Sequence, residues 1–135
     1  DKGTWYFMND KGIMFNQTWL YQGSNWYAFK SSGAMIASDW LYDNGSWYYL
    51  KDSGAMATGW VKDSGTWYYL NNSGSMATGW MKDNGSWYYL KDSGAMATGW
   101  VKDGGQWYYL ASSGKMLHNT YTPDGYYVDA SGAWK

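Results

Sequence analysis

The sequence predicts an all-β fold, a solenoid of stacked β-hairpins, from two observations. First, a unit of 20 residues returns along most of the chain, so that Trp60, Trp80 and Trp100, each preceded by glycine, are evenly spaced. A fixed period of this length is typical of repeat architectures, in which each copy contacts its neighbours. Second, two short runs of β-favouring residues in each copy flank a turn such as Asn84-Gly85, which supplies the positive φ angles of a tight hairpin. Because a lone hairpin is marginally stable in water, the copies must stack.

The unit is complete in residues 79–98, GWMKDNGSWYYLKDSGAMAT. Its Gly-Trp opens the first strand, and the Trp-Tyr-Tyr-Leu run that begins seven residues after that Trp forms the second strand. The Asp-Ser-Gly that follows is a second turn. Ala-Met-Ala-Thr then connects the hairpin to the next copy.

The repeats divide the chain into three parts. Residues 1–18 enter the unit at the turn before the aromatic run and are predicted to be a partial first repeat, so we expect the sequence to be a C-terminal part of a longer protein. Residues 19–119 are consecutive hairpin repeats. The register breaks after Met116, and residues 120–135 are predicted to be a C-terminal capping hairpin and tail, because a terminal repeat must end the stack.

The composition excludes several classes of function. Aromatic residues make up 22% of the chain, yet the net charge is −1 and the ten basic residues are scattered lysines. This lacks the basic footprint that nucleic-acid binding requires. Cysteine is absent, which excludes disulfides and thiolate metal sites. No apolar run is long enough to span a bilayer, and no signal-peptide pattern opens the sequence.

Catalysis is not predicted either. The single His118 has no cysteine partner, and acidic residues such as Asp63 and Asp83 recur in turns, where Asp commonly stabilises the turn itself. No nucleophile, base and oxyanion site assemble from these residues. Calcium repeats need closely spaced Gly and Asp in each turn, which this unit does not provide. We therefore expect a non-catalytic chain without metal or cofactor.

The aromatic residues suggest a binding site between hairpins. In a strand, Trp67 and Tyr69 lie on one face, and Tyr68 and Leu70 lie on the other. The first face, with the opening Trp of the next hairpin, would form an aromatic cage with a methionine floor. Such a cage suits a quaternary ammonium ion, which ring faces attract without hydrogen bonds. The alternative is that these aromatics only fill the stack.

The unit Gly-Trp-x-Lys-x-x-Gly-x-Trp-Tyr-Tyr-Leu-x-x-x-Gly-x-Met-x-Thr closely resembles the cell-wall-binding repeat of choline-binding proteins. These are surface proteins and lytic enzymes of pneumococci, related streptococci and their phages, and the resemblance covers nearly the whole chain. It implies a left-handed hairpin solenoid on the bacterial cell surface, secreted, that binds choline or phosphocholine of teichoic and lipoteichoic acids. The alternative is a glycan-binding aromatic repeat, as in glucan-binding enzymes and toxins. Whether two copies pair through the C-terminal tail stays open.

The resemblance also implies the binding residues, each site taking two aromatics of one hairpin, the opening Trp of the next and a nearby Met. Carried onto this sequence, the three regular sites are Trp47, Tyr49, Trp60 and Met56; Trp67, Tyr69, Trp80 and Met76; and Trp87, Tyr89, Trp100 and Met96. Two variant sites are Trp5, Phe7 and Trp19 near the start, and Trp107, Tyr109 and Tyr121 near the end. Between Trp26 and Trp40, Ala28 is expected to leave one wall missing. Whether Tyr48, Tyr68 or Tyr88 lines a cage in place of the second Tyr is left open.

Overall fold

The computed structural model describes residues 19–30 and 32–135, and it confirms an all-β fold of repeated hairpins. The predicted partial repeat in residues 1–18, with Trp5 and Phe7, lies outside the described residues. The strands are β1 Trp19–Gln22, β2 Asn25–Ala28, β3 Asp39–Asp43, β4 Ser46–Leu50, β5 Gly59–Asp63, β6 Thr66–Leu70, β7 Gly79–Asp83, β8 Ser86–Leu90, β9 Gly99–Asp103, β10 Gln106–Leu110, β11 Thr120–Tyr121 and β12 Tyr127–Val128. They pair two by two in sequence order, as six two-stranded sheets.

Each hairpin turn uses residues that tolerate a left-handed backbone. In β7–β8, Asn84 and Gly85 have φ angles of 52° and 83°, which are the conformations that a two-residue hairpin turn needs. The antiparallel register that results places Trp80 opposite Tyr89 and Lys82 opposite Trp87. Directly opposite residues share a face of the sheet. Trp80, Trp87 and Tyr89 therefore project from the same face of the hairpin. In every copy we call the Trp at the position of Trp80 the opening Trp and the Trp at the position of Trp87 the outer Trp.

The connector after each hairpin folds back on it. After β8, Lys91 N donates to Ala95 O at 2.8 Å, Leu90 bridges to Met96, and Ala97 N donates to Tyr89 O at 2.8 Å. The connector methionine also contacts the preceding hairpin through its backbone, since Met96 N donates to Trp67 O at 2.8 Å. These hydrogen bonds satisfy backbone N–H and C=O groups of the connector that would otherwise be left without partners when the copies pack. They also hold consecutive copies in fixed register.

The described residues form two compact units, the first comprising residues 19–61 and 70–76 and the second residues 62–69 and 77–135. In the first unit, Ala28, Ile36, Leu41 and Leu50 form a buried cluster against which Trp19 packs. The second unit buries the last residue of the second strand in successive hairpins, namely Leu90, Leu110 and Val128, each at 0% exposure. Apolar burial thus lies along the hairpins rather than in one central core. Within the described part of the chain, no helix is long and apolar enough to cross a membrane.

Candidate aromatic binding site

In β7–β8 and β9–β10 the opening Trp packs on the second Tyr of its own hairpin. The ring centroids of Trp80 and Tyr89 are 5.0 Å apart at 67°, and those of Trp100 and Tyr109 are 5.2 Å apart at 76°. Edge-to-face contacts of this kind are favourable because the positive ring edge meets the negative face of the partner. The second Tyr of the pair therefore holds the indole in place.

A further aromatic ring reaches the opening Trp from the following hairpin. Tyr108 on β10 contacts Trp80 on β7, with centroids 5.0 Å apart at 72°. The same contact occurs in the first unit, where Tyr48 on β4 lies 5.1 Å from Trp19 on β1. Tyr48 and Tyr108 project from the face opposite to the cage face of their own hairpins, so each points at the preceding copy.

A carboxylate from the next copy orients three of the indoles through their N–H groups. Nε1 donates to a carboxylate oxygen at 3.0 Å in the pairs Trp19 with Asp43, Trp80 with Asp103, and Trp100 with Asp124. The pKa of Asp124 lies below its usual value because the Thr122 hydroxyl and then the Trp100 N–H donate to the carboxylate. The recurring aspartate, interpreted from the sequence as a turn former, therefore fixes the plane and tilt of a ring.

An open cavity lies beside these rings in the second unit. It has a volume of about 260 Å³ and is lined by Trp80, Trp87, Tyr108, Met116 and Ser131. Trp87, 40% exposed, forms the outer wall, and Met116 N donates to its carbonyl oxygen at 2.8 Å. We call these residues the internal cage. Open space therefore remains beside rings that also pack on one another.

A second cavity lies at the last hairpin. It has a volume of about 300 Å³ and is lined by Trp100, Trp107, Tyr126 and Trp134, which we call the terminal cage. The rings of Trp100 and Trp107 meet at 86° with centroids 6.4 Å apart, and Tyr126 lies 5.8 Å from Trp100. The walls therefore face a common space from several directions.

The chemistry of both cages favours a cation that does not donate hydrogen bonds. Ring faces carry partial negative charge and attract cations. The carboxylates of Asp103 and Asp124 lie at the edges of the indoles and add to this potential. The Lys82 and Lys102 ammonium groups lie over the rings of Trp87 and Trp107, 5.8 and 5.9 Å from their centroids.

The structure groups the aromatics differently from the predicted cages. Trp87 and Trp100, predicted to share a site, line separate cavities. Tyr89 lies under Trp80 in its own hairpin, and the wall from the next hairpin is Tyr108 rather than an opening Trp. The strand alternation was correct, and it left open which tyrosine of each pair lines a cage. Tyr108, the first Tyr of its pair, lines the internal cavity, because in a stack both faces of a hairpin meet a neighbour.

The predicted methionines also belong to different partners. Each was placed with the hairpin that precedes it directly, yet the backbone N–H of Met56 donates to Trp26 O at 2.7 Å. Met76 and Met96 donate in the same way to Trp47 and Trp67, at 2.8 Å each. The backbone of each of these methionines is therefore bonded to a Trp one copy earlier than expected. Within their own units, Trp60 and Tyr69 are half-buried and Trp47 and Trp67 are exposed.

Three further residues lie elsewhere than expected. Tyr121 is 68% exposed and pairs with Tyr127 at 5.1 Å, so the wall of the terminal cage is Tyr126 instead. Tyr109, predicted beside Trp107, supports Trp100 from below. Ala28, expected to leave a wall missing, lies opposite Trp19 at 0% exposure in the core cluster. The position of Ala28 is a support for the indole and not a wall.

Sequence reasoning missed Tyr108, Tyr126, Trp134 and the indole acceptors. One signal was present for the acceptors, because an Asp follows the opening Trp by 23 or 24 residues in the pairs that bond. Another was the constant first Tyr of the pair, which Tyr126 continues in the irregular tail. Trp134 could not be aligned because the tail has a shorter hairpin.

These features define a class of protein, a hairpin-repeat module with aromatic cages between successive copies. The chain belongs to the choline-binding repeat family, because the model of that family matches residues 42–78 and 77–121. A second family model, described as a putative cell wall binding repeat, matches residues 1–14 and 17–35. It is a cell-wall-binding repeat module of this family. None of the curated protein sequences compared with the chain matches it.

Solved structures agree with this assignment. CbpJ of Streptococcus pneumoniae is 46% identical with a TM-score of 0.85, the match covering 100% of this chain and 46% of that one. Choline binding protein F of the same organism, in the presence of a peptidoglycan analogue, is 44% identical with a TM-score of 0.83, covering 100% and 45%. The endolysin of phage Cp-1 complexed with choline is 41% identical with a TM-score of 0.57, covering 96% and 40%. The chain thus spans less than half the length of these proteins.

Proposed function

We propose that this chain is a non-catalytic attachment module that binds choline of phosphocholine-decorated teichoic and lipoteichoic acids at the bacterial cell surface. The observation that carries the proposal is the internal cage, in which Trp80, Trp87 and Tyr108 surround an open cavity with Met116 beside them. The choline complex of the related phage endolysin supports the choice of ligand.

The strength of binding follows from the walls. A trimethylammonium group cannot donate a hydrogen bond, so it gains from ring faces and apolar contact and loses little of its weak hydration. At about 0.5–2 kcal/mol for each cation–π contact, three walls contribute roughly 2–5 kcal/mol, which corresponds to a dissociation constant around the millimolar range. Repeated weak sites still hold a polymer that carries many choline groups, because linked sites raise the effective concentration.

Glycan binding is the competing function. Sugars stack on a flat aromatic face and need polar side chains for their hydroxyl groups. The rings in the terminal cage meet at 86°, those of Trp80 and Tyr108 in the internal cage meet at 72°, and three indoles and a tyrosine line the former. Enclosing walls at steep angles fit a compact cation better than a flat ring.

The test has two measurements. Isothermal calorimetry measures the stoichiometry of a choline titration, and chromatography measures retention on an amine matrix that mimics choline. Trp87→Ala should remove one site from the stoichiometry, with little effect on folding because the side chain is exposed. Tyr121→Ala is the matched control, since this exposed tyrosine lies outside both cages. If wild type bound a glucan oligosaccharide but no choline, or if Trp87→Ala kept full stoichiometry, the proposal would be wrong. Pairing through the tail stays a prediction, which sedimentation would check.

A further inference from the structure

We propose that the terminal cage is the tightest quaternary ammonium site among the cages in the described residues, and that Trp134 is the residue that makes it so. The inference rests on the proposed function and extends it. It ranks the affinities of the sites within one chain, which would be equal if all copies were identical.

Trp134 occupies the place that methionine holds in the other copies. Trp134 N donates to Trp107 O at 2.8 Å, as Met116 N donates to Trp87 O at 2.8 Å. Trp134 also bridges to Val128, as Met116 bridges to Leu110. The backbone of the tail therefore follows the connector path of a regular copy, and only the side chain that enters the site has changed.

The internal position is closely packed around its methionine. Met116 packs against the turn that follows it, where a Cβ on Gly132 would come within 2.5 Å of the methionine sulfur. Met35 lies against Gly54 in the same way, at 2.7 Å from such a Cβ. Trp134 instead packs against Tyr126, with centroids 5.8 Å apart, and is 46% exposed. The terminal cage therefore carries a ring wall where the internal cage carries a thioether packed against the next turn.

The change of wall alters the chemistry of the site. A thioether offers apolar contact, whereas an indole face offers apolar contact and a quadrupole that attracts a cation, most strongly of the aromatic side chains. The neighbouring Lys135 is paired with Asp129 at 3.3 Å, so its charge is directed to a carboxylate. The terminal cage is also wider, because Trp100 and Tyr126 are 5.8 Å apart where Trp80 and Tyr108 are 5.0 Å apart. Four rings around one space are expected to bind trimethylammonium about 2- to 30-fold more tightly than three.

The experiment assigns affinity to individual sites. Fluorotryptophan-labelled protein is titrated with choline while the ¹⁹F resonances of Trp107 and Trp87, assigned by substitution, report the terminal and internal cages. In wild type, the Trp107 resonance should saturate at the lower choline concentration. Trp134→Met should bring the two midpoints together without changing the number of sites, and Trp134→Phe should retain most of the difference. Met116→Leu is the matched control and should leave the Trp107 midpoint unchanged.

The outcomes separate the two proposals. If no resonance responds to choline, the proposed function fails. If both respond with equal midpoints in wild type, or if Trp134→Met leaves the terminal midpoint unchanged, choline binding stands and the ranking is wrong. If Trp134→Met fails to fold, Trp134→Phe still tests the ranking, because this variant keeps a ring against Tyr126. A Phe variant with the midpoint of the internal site would overturn it.

Discussion

The hairpins β1–β4 and β7–β10 build the same bonds from different residues. In both, an opening Trp donates to an aspartate of the next copy, a Tyr of that copy contacts the indole, and a methionine N–H donates to the outer Trp. In β7–β10 the indole rests on Tyr89, whereas in β1–β2 the opposite residue is Ala28. The comparison shows which contacts define the site and which only support it.

A change in the connector accompanies the loss of the supporting tyrosine. Ile36 N donates to Ala28 O at 2.8 Å, in the place where Ala97 N donates to Tyr89 O at 2.8 Å. A large ring with a small connector residue is therefore replaced by a small strand residue with a larger aliphatic one. Since cores tolerate exchanges that conserve volume, the cage face above can stay the same.

The outer Trp also has different neighbours. Tyr21 lies 5.0 Å from Trp26 and Tyr42 lies 5.0 Å from Trp47 in the first unit. In the second unit lysines occupy this position, with Lys82 facing Trp87. The outer Trp therefore has an aromatic neighbour in the first unit and a charged one in the second.

The largest expected effect comes from removing the compensation in β1–β2. Ile36→Ala should leave a cavity in the core cluster and lower the free energy of unfolding by about 2–5 kcal/mol. Adding Ala28→Tyr should restore part of this loss, because the double variant recreates the pairing of Tyr89 with Ala97. Urea unfolding followed by Trp fluorescence measures both. A double variant no more stable than the single one would show that the exchange of volume is not the reason for Ile36.

A smaller effect should be common to both regions. Asp103→Ala removes the acceptor of the Trp80 indole, so the ring loses its fixed tilt and choline binding at the internal cage should weaken by a few-fold, in line with about 1 kcal/mol for such a bond. Asp103→Asn, which keeps an acceptor oxygen, is the control. Asp43→Ala should act equally on the Trp19 contact. Calorimetry compares the variants, and a loss confined to one region would break the comparison.

The smallest effect should separate the two regions. Lys82→Tyr gives the internal cage the rim of the first unit. We expect the binding of phosphocholine to weaken relative to that of choline by about two- to fivefold, because the phosphate loses an exposed ammonium partner. The effect is small because an exposed ion pair contributes little. Raising the salt concentration should remove the difference. Tyr21→Lys is the reciprocal variant, expected to favour phosphocholine. Unchanged ratios of the two ligands in both variants would mean that the rim charge has no part in recognition.

The sequence was sufficient for the hairpins and insufficient for the contacts between them. Turn pairs such as Asn84-Gly85 and the aromatic run of β8 predict each hairpin, since both signals are local. Alternation also placed Trp87 and Tyr89 on one face correctly. Which face of one copy meets which face of the next depends on the path of the connector, and that path is set by backbone bonds such as Met116 N to Trp87 O.

The sequence therefore predicted the residue types of the cage, but it grouped the individual residues differently from the structure. Trp80 and Trp87 were both named as binding residues but in different sites, and Tyr108 was not named. The terminal cage was harder to foresee because Tyr126 and Trp134 stand in a tail whose two strands are shorter than those of a regular copy and whose turn is longer. Periodicity gives no spacing for residues beyond the last regular copy.

The hydrogen bond from each connector methionine to the outer Trp of the copy before it means that no single copy holds a finished site. Where two adjacent copies separate, the ligand loses Tyr108 and Met116 together, so ligand binding and docking of the copies are thermodynamically linked. Any compound that occupies the cage therefore raises the midpoint of thermal unfolding by mass action. Chain length and ligand concentration would then act on the same equilibrium, and shortening the array by one copy would remove one whole site.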